Sequence, residues 1–291
     1  MFGKTESEEK EKLRKSSFLF LSFFYKINLC PNPKTSFSYL KPSIMKKNFS
    51  PLIFFLIVLL VSFNNNNLHS TIKNKIPPAP ELKSIFINGD SIHYIDTGKG
   101  DPVVFVHGLL SDYRIWWFQI DAFAKNHRVI AYSRRFAYPN KQTINDSEDL
   151  TVISQSKDLS EFLKALNLGP VHLVGHSFGA TTALETTINH PELVRSLSLC
   201  DPFFPSLIQS APGGDTVLNN FIVKTVVPMT EAFKNNDSES AVRDLITGVM
   251  GDSLYYSRIP PQYREVMMEN TAEARVCHSV KIFIRNLPVM M

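Results

Sequence analysis

The segment that most restricts how this chain can fold is residues 171–180, which read VHLVGHSFGA. A short apolar run ends at Gly175, and Ser177 stands between Gly175 and Gly179. A segment of helical character follows, through His190. A strand that enters a helix through so tight a turn strains the backbone of its central residue, and the neighbours at −2 and +2 must be small. The pattern therefore predicts a strand, a sharp turn at Ser177 and a helix.

This spacing, G-x-S-x-G, is that of a nucleophile elbow. A serine hydroxyl is a weak nucleophile unless it is exposed beside a general base and close to backbone N–H donors. A chance match is the alternative, but the strand-like run before the motif and the helical run after it favour the elbow. Ser177 is therefore the candidate nucleophile.

The net charge of +4 is unevenly distributed along the chain. Residues 1–50 carry ten Lys or Arg and four Asp or Glu, whereas the rest of the chain carries 21 and 23. The basic excess therefore lies in the N-terminal part, and the folded body offers no basic patch for nucleic acid. The cysteines at positions 30, 200 and 277 suggest neither a disulfide framework nor a metal cluster. We expect no cofactor and no nucleic-acid partner.

An apolar run at residues 52–61 follows the basic head Met45-Lys46-Lys47. This order is typical of a secretory signal, and the run is shorter than the about 20 residues that cross a bilayer. We expect residues 45–63 to be a signal peptide or an uncleaved membrane anchor. The protein would then be exported, to the periplasm or outside the cell, or anchored in a membrane through residues 46–63.

The segments on either side of this leader are predicted to lie outside the folded domain. A signal begins at the initiator methionine, so residues 1–44 are expected to be a non-native or disordered extension. Residues 64–81 are rich in Asn and Pro and are expected to be a linker.

From residue 82 onward, strand-like and helix-like segments alternate. The apolar patterns predict strands at residues 84–87, 91–95, 102–106, 128–132, 171–175 and 194–200, and helices at 116–124, 150–168 and 178–190. Such alternation predicts an α/β fold with a mostly parallel sheet and helices on both faces. Helical patterns at residues 217–227, 241–250 and 263–274 then interrupt the alternation.

The predicted domain organisation follows from this interruption. Residues 82–201 and 287–291 are expected to form the α/β core, and residues 202–286 a helical cap inserted after the sixth predicted strand. The apolar run resumes only at residues 287–291, where the sequence stops, so the last strands are expected to be missing.

The order of hairpin, strand–His-Gly, strand, helix, strand–GHSFG–helix, strand and helical insert resembles the α/β-hydrolase fold superfamily over residues 83–291. The resemblance is closest to cap-bearing enzymes such as esterases, epoxide hydrolases and C–C bond hydrolases. It implies that Ser177 is the nucleophile and that the backbone N–H groups of Leu109 and Phe178 form the oxyanion hole. Members that cleave epoxides or carbon–halogen bonds use aspartate at the elbow, so serine implies a small-molecule, ester-like substrate. Asp201, after the sixth strand, is either the catalytic acid or a turn-forming Asp-Pro.

Two departures from the family pattern stand out. Many relatives carry Asp-x-Arg-Gly after the fourth strand, where this chain has Ser133. The family's catalytic histidine lies on a loop after the last strand. That loop has no counterpart before Met291, so the chain is expected to be truncated and to lack this histidine.

The histidines that are present are expected to have other roles. His107 is predicted to structure its turn, and His176 to point towards the sheet. His190 is predicted to end the elbow helix, where the helix dipole favours it, and His278 to belong to the cap or a linker.

The sequence thus leaves three functions open. The leading one is a serine hydrolase that forms an acyl-enzyme and is impaired here by loss of the C-terminal histidine. The alternative is a non-catalytic ligand-binding protein of the same fold. A lipid-facing scaffold is a third, suggested only by the leader.

Overall fold

The computed structural model describes residues 25–28, 80–140, 142 and 151–276. In these residues one sheet has the strand order β1-β7-β6-β4-β5-β3-β2. The strands are β1 (Tyr25–Asn28), β2 (Leu82–Ile87), β3 (Asp90–Gly98), β4 (Pro102–Val106), β5 (Arg128–Tyr132), β6 (Val171–His176) and β7 (Val194–Cys200). Strands β5, β4, β6 and β7 pair in parallel, and antiparallel strands flank them on both sides. The predicted α/β fold is confirmed.

Strand β1 lies in the segment for which the sequence predicted a non-native or disordered extension. Tyr25–Asn28 pair antiparallel with β7, with Tyr25 opposite Leu199. The sequence did not predict this strand, and the interpretation of residues 1–44 as a non-native or disordered extension stays a prediction. Without β1, the outer edge of β7 would present a row of unpaired N–H and C=O groups. Any extended segment can pair with that row, whatever the periodicity of its own sequence. Local composition does not reveal pairing of this kind.

Three helices flank the sheet. A 3₁₀ turn at Tyr113–Trp116 leads into α1 (Trp117–Phe123), and α2 and α3 span Val152–Ala165 and Phe178–Asn189. Helix α2 begins where the Thr151 hydroxyl accepts a hydrogen bond from the Ser154 N–H, as an N-cap does. These helices are shorter than the predicted segments because the capping residues and 3₁₀ turns extend the apolar pattern past their ends.

Strand β4 explains why the core strands read as unbroken apolar runs. Its alternate residues pack into different cores on the two faces of the sheet. Val104 and Val106 belong to the core beneath α2 and α3, whereas Val103 and Phe105 belong to the core beneath α1. All four side chains are buried, so a polar residue at any of these four positions would be unfavourable.

The described part of the predicted cap is helical. Its helices are α4 (Pro205–Ser210), α5 (Gly214–Phe221), α6 (Val227–Lys234), α7 (Ser238–Met250), α8 (Tyr255–Arg258), α9 (Pro261–Glu269) and α10 (Thr271–Val276). They enclose an apolar cluster of their own that includes Val226, Met229 and Val242 and reaches Leu110 of the sheet domain. Leu110 thus connects the cap core to the loop that follows β4.

A π-helical turn at Ile222–Val226 joins α5 to α6. Pro228, in the first turn of α6, has no N–H, and in a regular α-helix its ring would clash with the carbonyl of residue 224. The wider turn relieves that clash. It also projects Thr225 against Gly248 of α7, where a Cβ would lie 1.9 Å from the threonine Oγ1.

Several predicted segments fall outside the described residues: the leader at 45–63, most of the extension at 1–44 and of the linker at 64–81, and the last strand at 287–291. Export or anchoring through residues 46–63 therefore stays a prediction. Among the helices that the structure describes, none combines the length and apolar character needed to span a bilayer.

Candidate active site

Ser177 lies at a sharp turn between β6 and α3. Its backbone has φ 52° and ψ −123°, a conformation that side chains disfavour, and its side chain is half-buried. The Ser177 N–H donates to the carbonyl oxygen of Cys200 at 2.9 Å, which fastens the turn to the end of β7. The predicted strand, turn and helix are all present.

The glycines on either side of Ser177 are required by contact distances. A Cβ at Gly175 would lie 2.5 Å from the Cα of Ala180, and a Cβ at Gly179 would lie 2.3 Å from the carbonyl oxygen of His107. Both distances are far below van der Waals contact. The small residues that the motif requires are thus explained by the closeness of β6, α3 and the end of β4.

The two predicted oxyanion-hole residues flank this turn. Phe178 is the first residue of α3, where a helix leaves its N–H groups free. Leu109 follows Gly108, and a Cβ at Gly108 would lie 3.0 Å from the Cβ of Ser177. Neither the Leu109 nor the Phe178 N–H donates to a backbone acceptor among the described residues. Two N–H groups beside Ser177 are therefore available, and their role stays a prediction.

His107 is held as a neutral residue of the loop. Its Nε2 accepts a hydrogen bond from the Arg134 N–H at 2.8 Å, so the proton is on Nδ1, which donates to the Gly108 carbonyl at 2.8 Å. Burial lowers the pKa of His107 well below its ordinary value, and the Arg134 charge lowers it further. With both nitrogens engaged, His107 structures its turn, as the sequence predicted, and is unavailable as a general base.

Ser133 replaces the aspartate of the family pattern, and the loop around it is nevertheless well bonded. Its hydroxyl donates to the carbonyl oxygen of Tyr138 at 2.5 Å. The Asn140 side-chain amide donates to the carbonyls of Ser133 and Arg134, each at 3.0 Å. The loop is therefore closed by these polar contacts, without a carboxylate at position 133.

Asp201, the candidate acid, immediately follows β7. Its φ of 48° is left-handed, and its side chain is exposed. Ligand atoms of Asp201, His176 and Cys200 all lie within 4.8 Å of one another. Burial raises the pKa of the Cys200 thiol to about 12, and the neighbouring Asp201 charge contributes to this increase. Both the acid and the turn-forming interpretations of Asp201 stay predictions.

None of the histidines in the described ranges hydrogen-bonds to the Ser177 hydroxyl. The Nδ1 of His176 is buried without a partner in that part of the chain, and burial lowers the pKa of this ring while the Asp201 charge opposes the shift. His190 ends α3 and lies near Glu192, with His190 Nδ1 at 3.3 Å from the carboxylate. His278 lies outside the described residues.

The sequence analysis missed a fully buried ion pair behind this site. Arg134, whose side chain is 0% exposed, contacts Glu273 of α10 at 2.6 Å. The two residues are 139 positions apart in the sequence, so no local pattern predicts their contact. Burial raises the pKa of the Glu273 carboxyl to about 7, although the Arg134 charge opposes the shift.

A second buried contact joins the cap to the same loops. The Asp112 carboxylate, 0% exposed, accepts three hydrogen bonds from Arg114 and one from the Asn270 side-chain amide at 2.7 Å. Asn270 in turn accepts from the Tyr138 N–H at 2.8 Å. The turn between α9 and α10 is thereby fixed to the loops that follow β4 and β5.

Replacing Asp112 with alanine should lower the free energy of unfolding by about 3 kcal/mol, because buried donors lose a charged acceptor. Urea denaturation with a constant m-value measures this loss. Asp252 is the matched control, since its exposed carboxylate also accepts a backbone N–H, from Leu254, and an arginine, Arg258. If Asp252→Ala lost as much unfolding free energy as Asp112→Ala, burial would not be the reason that the Asp112 contacts stabilise the protein.

Comparisons with known proteins agree with this geometry. The family model described as alpha/beta hydrolase fold matches residues 101–261. The chain is 29% identical over 117 residues to an (E)-2-((N-methylformamido)methylene)succinate hydrolase of Acinetobacter baylyi, covering 38% of this chain and 41% of that one. It is 27% identical over 132 residues to epoxide hydrolase 2 of Caenorhabditis elegans, covering 43% and 37%.

A solved structure of an N-acyl homoserine lactone degrading enzyme matches with a TM-score of 0.52 at 21% identity, covering 70% of this chain and 75% of that one. This similarity concerns the fold alone. The chain spans about two fifths of the length of the two curated relatives. Since the family model covers more than half of the chain, including the elbow, the chain belongs to the alpha/beta hydrolase fold family.

Proposed function

We propose that this protein is a serine hydrolase that cleaves a small, ester-like substrate through an acyl-enzyme, with Ser177 as its nucleophile. The observation that carries the proposal is the strained, half-buried Ser177 at the end of a parallel strand, between two glycines that no larger residue can replace. Strain of this kind persists only where the surrounding structure enforces it, and it is common at active sites.

In the proposed reaction the Ser177 Oγ attacks the substrate carbonyl, and negative charge develops on the carbonyl oxygen. In this proposal the N–H groups of Leu109 and Phe178 donate to that oxygen, and the N-terminus of α3 adds the positive end of its dipole. A base accepts the Ser177 hydroxyl proton and delivers it to the leaving alcohol as the ester C–O bond breaks, which forms the acyl-enzyme. Water, deprotonated by the same base, then hydrolyses the acyl-enzyme and restores the Ser177 hydroxyl. Asp201 is the candidate acid of the triad.

We assign the base for this proton transfer to a residue outside the described ones, because both nitrogens of His107 are engaged and no described histidine hydrogen-bonds to the Ser177 hydroxyl. Without a histidine at Ser177, a residual rate of about 10³–10⁴ over water is expected from the oxyanion hole and binding alone.

The relatives support a hydrolytic reaction, since both curated matches are named hydrolases. One of them is an epoxide hydrolase, and the family resemblance associates epoxide opening with an aspartate at the elbow. Serine at position 177 favours an acyl substrate instead, because a serine ester is the intermediate of acyl transfer.

A fluorophosphonate probe tests the proposal directly. The full chain is incubated with the probe, and mass spectrometry of its peptides locates the adduct. We expect one adduct, on Ser177, and none on a Ser177→Ala variant. An adduct that persists in the variant would remove Ser177 from the mechanism. Saturable binding of small esters without any adduct would support the non-catalytic binding protein instead.

A further inference from the structure

The carbonyl oxygen of Gly108 is surrounded by donors. It accepts from the His107 Nδ1–H at 2.8 Å, from the Ser111 hydroxyl at 3.0 Å and from the Arg134 Nη2–H at 3.1 Å. A carbonyl oxygen has two lone pairs, so three donors, one of them charged, polarise this peptide unusually strongly.

This carbonyl belongs to the same peptide group as the Leu109 N–H. In a planar trans peptide the C=O and N–H bonds point in opposite directions. Fixing the carbonyl oxygen of Gly108 therefore also fixes the direction of the Leu109 N–H. Withdrawing electron density at the oxygen makes that N–H a stronger donor.

Arg134 contacts both halves of the predicted oxyanion hole. Besides its bond to Gly108, its Nε donates to the carbonyl of His107 at 3.0 Å. The guanidinium carbon lies 4.9 Å from the centre of the Phe178 ring, a cation–π distance. Glu273 anchors this guanidinium from the cap side at 2.6 Å.

We propose that Arg134 and Glu273 are positioning residues that hold the Gly108–Leu109 peptide in its oxyanion-binding orientation and make that orientation depend on the seating of α10. This inference rests on the proposed function, because it assigns the Leu109 N–H to a developing oxyanion. Neither side chain needs to touch the substrate. The effect is exerted through the peptide group alone.

The neighbouring ion pair between Arg114 and Glu269 provides a matched control. It also joins the cap to a loop of the sheet domain, at 2.6 Å, but neither residue donates to the Gly108 carbonyl. A Glu269→Gln variant therefore weakens cap seating in general and leaves the polarised peptide intact.

The choice of variants follows from the burial of the pair. Arg134→Met alone leaves the Glu273 carboxylate buried without its partner, and such a variant is at risk of unfolding. The double variant Arg134→Met, Glu273→Met replaces both charges with apolar side chains of similar volume, a replacement that is often neutral for stability. Thermal denaturation checks that each variant remains folded.

Two measurements on the full chain then test the inference. The first separates the maximal rate of fluorophosphonate labelling from the probe concentration at half-maximal rate. We expect the double variant to lose at least about tenfold in maximal rate, because the hole acts on the transition state, with little change in the half-saturating concentration. The Glu269→Gln variant should match the wild type in both quantities.

The second measurement is hydrogen–deuterium exchange at the Leu109 amide, which needs no reaction at Ser177. We expect slower exchange in the double variant, because the Leu109 N–H has no acceptor to lose and becomes less acidic when the charged donor on the Gly108 carbonyl is removed. Exchange in Glu269→Gln should not change. If the wild type takes up no probe, the proposed function fails and exchange alone decides the inference. Wild-type exchange in a folded double variant, or an equal loss of labelling rate in the Glu269 control, would overturn the positioning role.

Discussion

The Ser177→Gly variant is expected to lose all fluorophosphonate labelling and yet to be more stable than Ser177→Ala by about 1 kcal/mol. Ser177 has φ 52° and ψ −123°, which glycine adopts freely and which any residue with a Cβ adopts at a cost. Alanine removes the hydroxyl and keeps the strain, whereas glycine removes both. Both variants lack the hydroxyl, so the difference between their unfolding free energies, measured by chemical denaturation, reports the backbone strain alone.

The expected gain in unfolding free energy of Ser177→Gly over Ser177→Ala is the net result of two opposing effects. The strain of such a conformation costs about 1–3 kcal/mol, and glycine returns part of it through the larger entropy of its unfolded chain. Equal unfolding free energies for the two variants would show that this turn stores no strain. The turn at Ser177, on which the proposed function rests, would then be an unstrained turn.

The Gly179→Ala variant is expected to lose about 3 kcal/mol or more of unfolding free energy. Gly179 lies inside α3, where helix propensity by itself favours alanine by about 1 kcal/mol. The new Cβ would lie 2.3 and 2.4 Å from the carbonyl oxygens of His107 and Val106, both of which are backbone atoms. The steric cost exceeds the gain in propensity because α3 and the end of β4 must separate.

Gly169→Ala is the control for this prediction. Nothing lies within 4 Å of the Cβ position at Gly169, but its φ of 68° disfavours a side chain. It should cost only about 1 kcal/mol. Thermal denaturation distinguishes the two, at about 2–4 °C per kcal/mol for a domain of this size. A smaller loss at Gly179 than at Gly169 would contradict the close approach of β4 and α3.

Residues whose role is set by neighbours in the sequence were predicted well. The turn at Ser177 was predicted because it requires small residues two positions before and two positions after the serine. That requirement is visible within five consecutive residues of the sequence. The core strands were predicted because burial on both faces leaves a continuous apolar run, as in β4. Helix boundaries were less accurate, since capping residues carry similar polarity inside and outside a helix.

Residues whose role depends on distant partners were not predicted. Arg134 and Glu273 lack any local signal, because a buried charge looks like a surface charge until its partner is placed beside it. The hydrogen bonds of His107 likewise depend on a residue that is distant in the sequence. The sequence suggested a turn-structuring residue, but its tautomer follows from the N–H of Arg134. Tyr25–Asn28 were missed because the partner strand, rather than their own pattern, determines the pairing.

The position of β1 has a consequence for the order in which the sheet is assembled. A strand edge has a single row of donors and acceptors, and Tyr25–Asn28 occupy the row on β7. Any later segment of the chain that adds to β7 must first displace these residues, so the two arrangements are mutually exclusive. Occupancy of that row by a competing segment would therefore vary with the effective concentration of that segment.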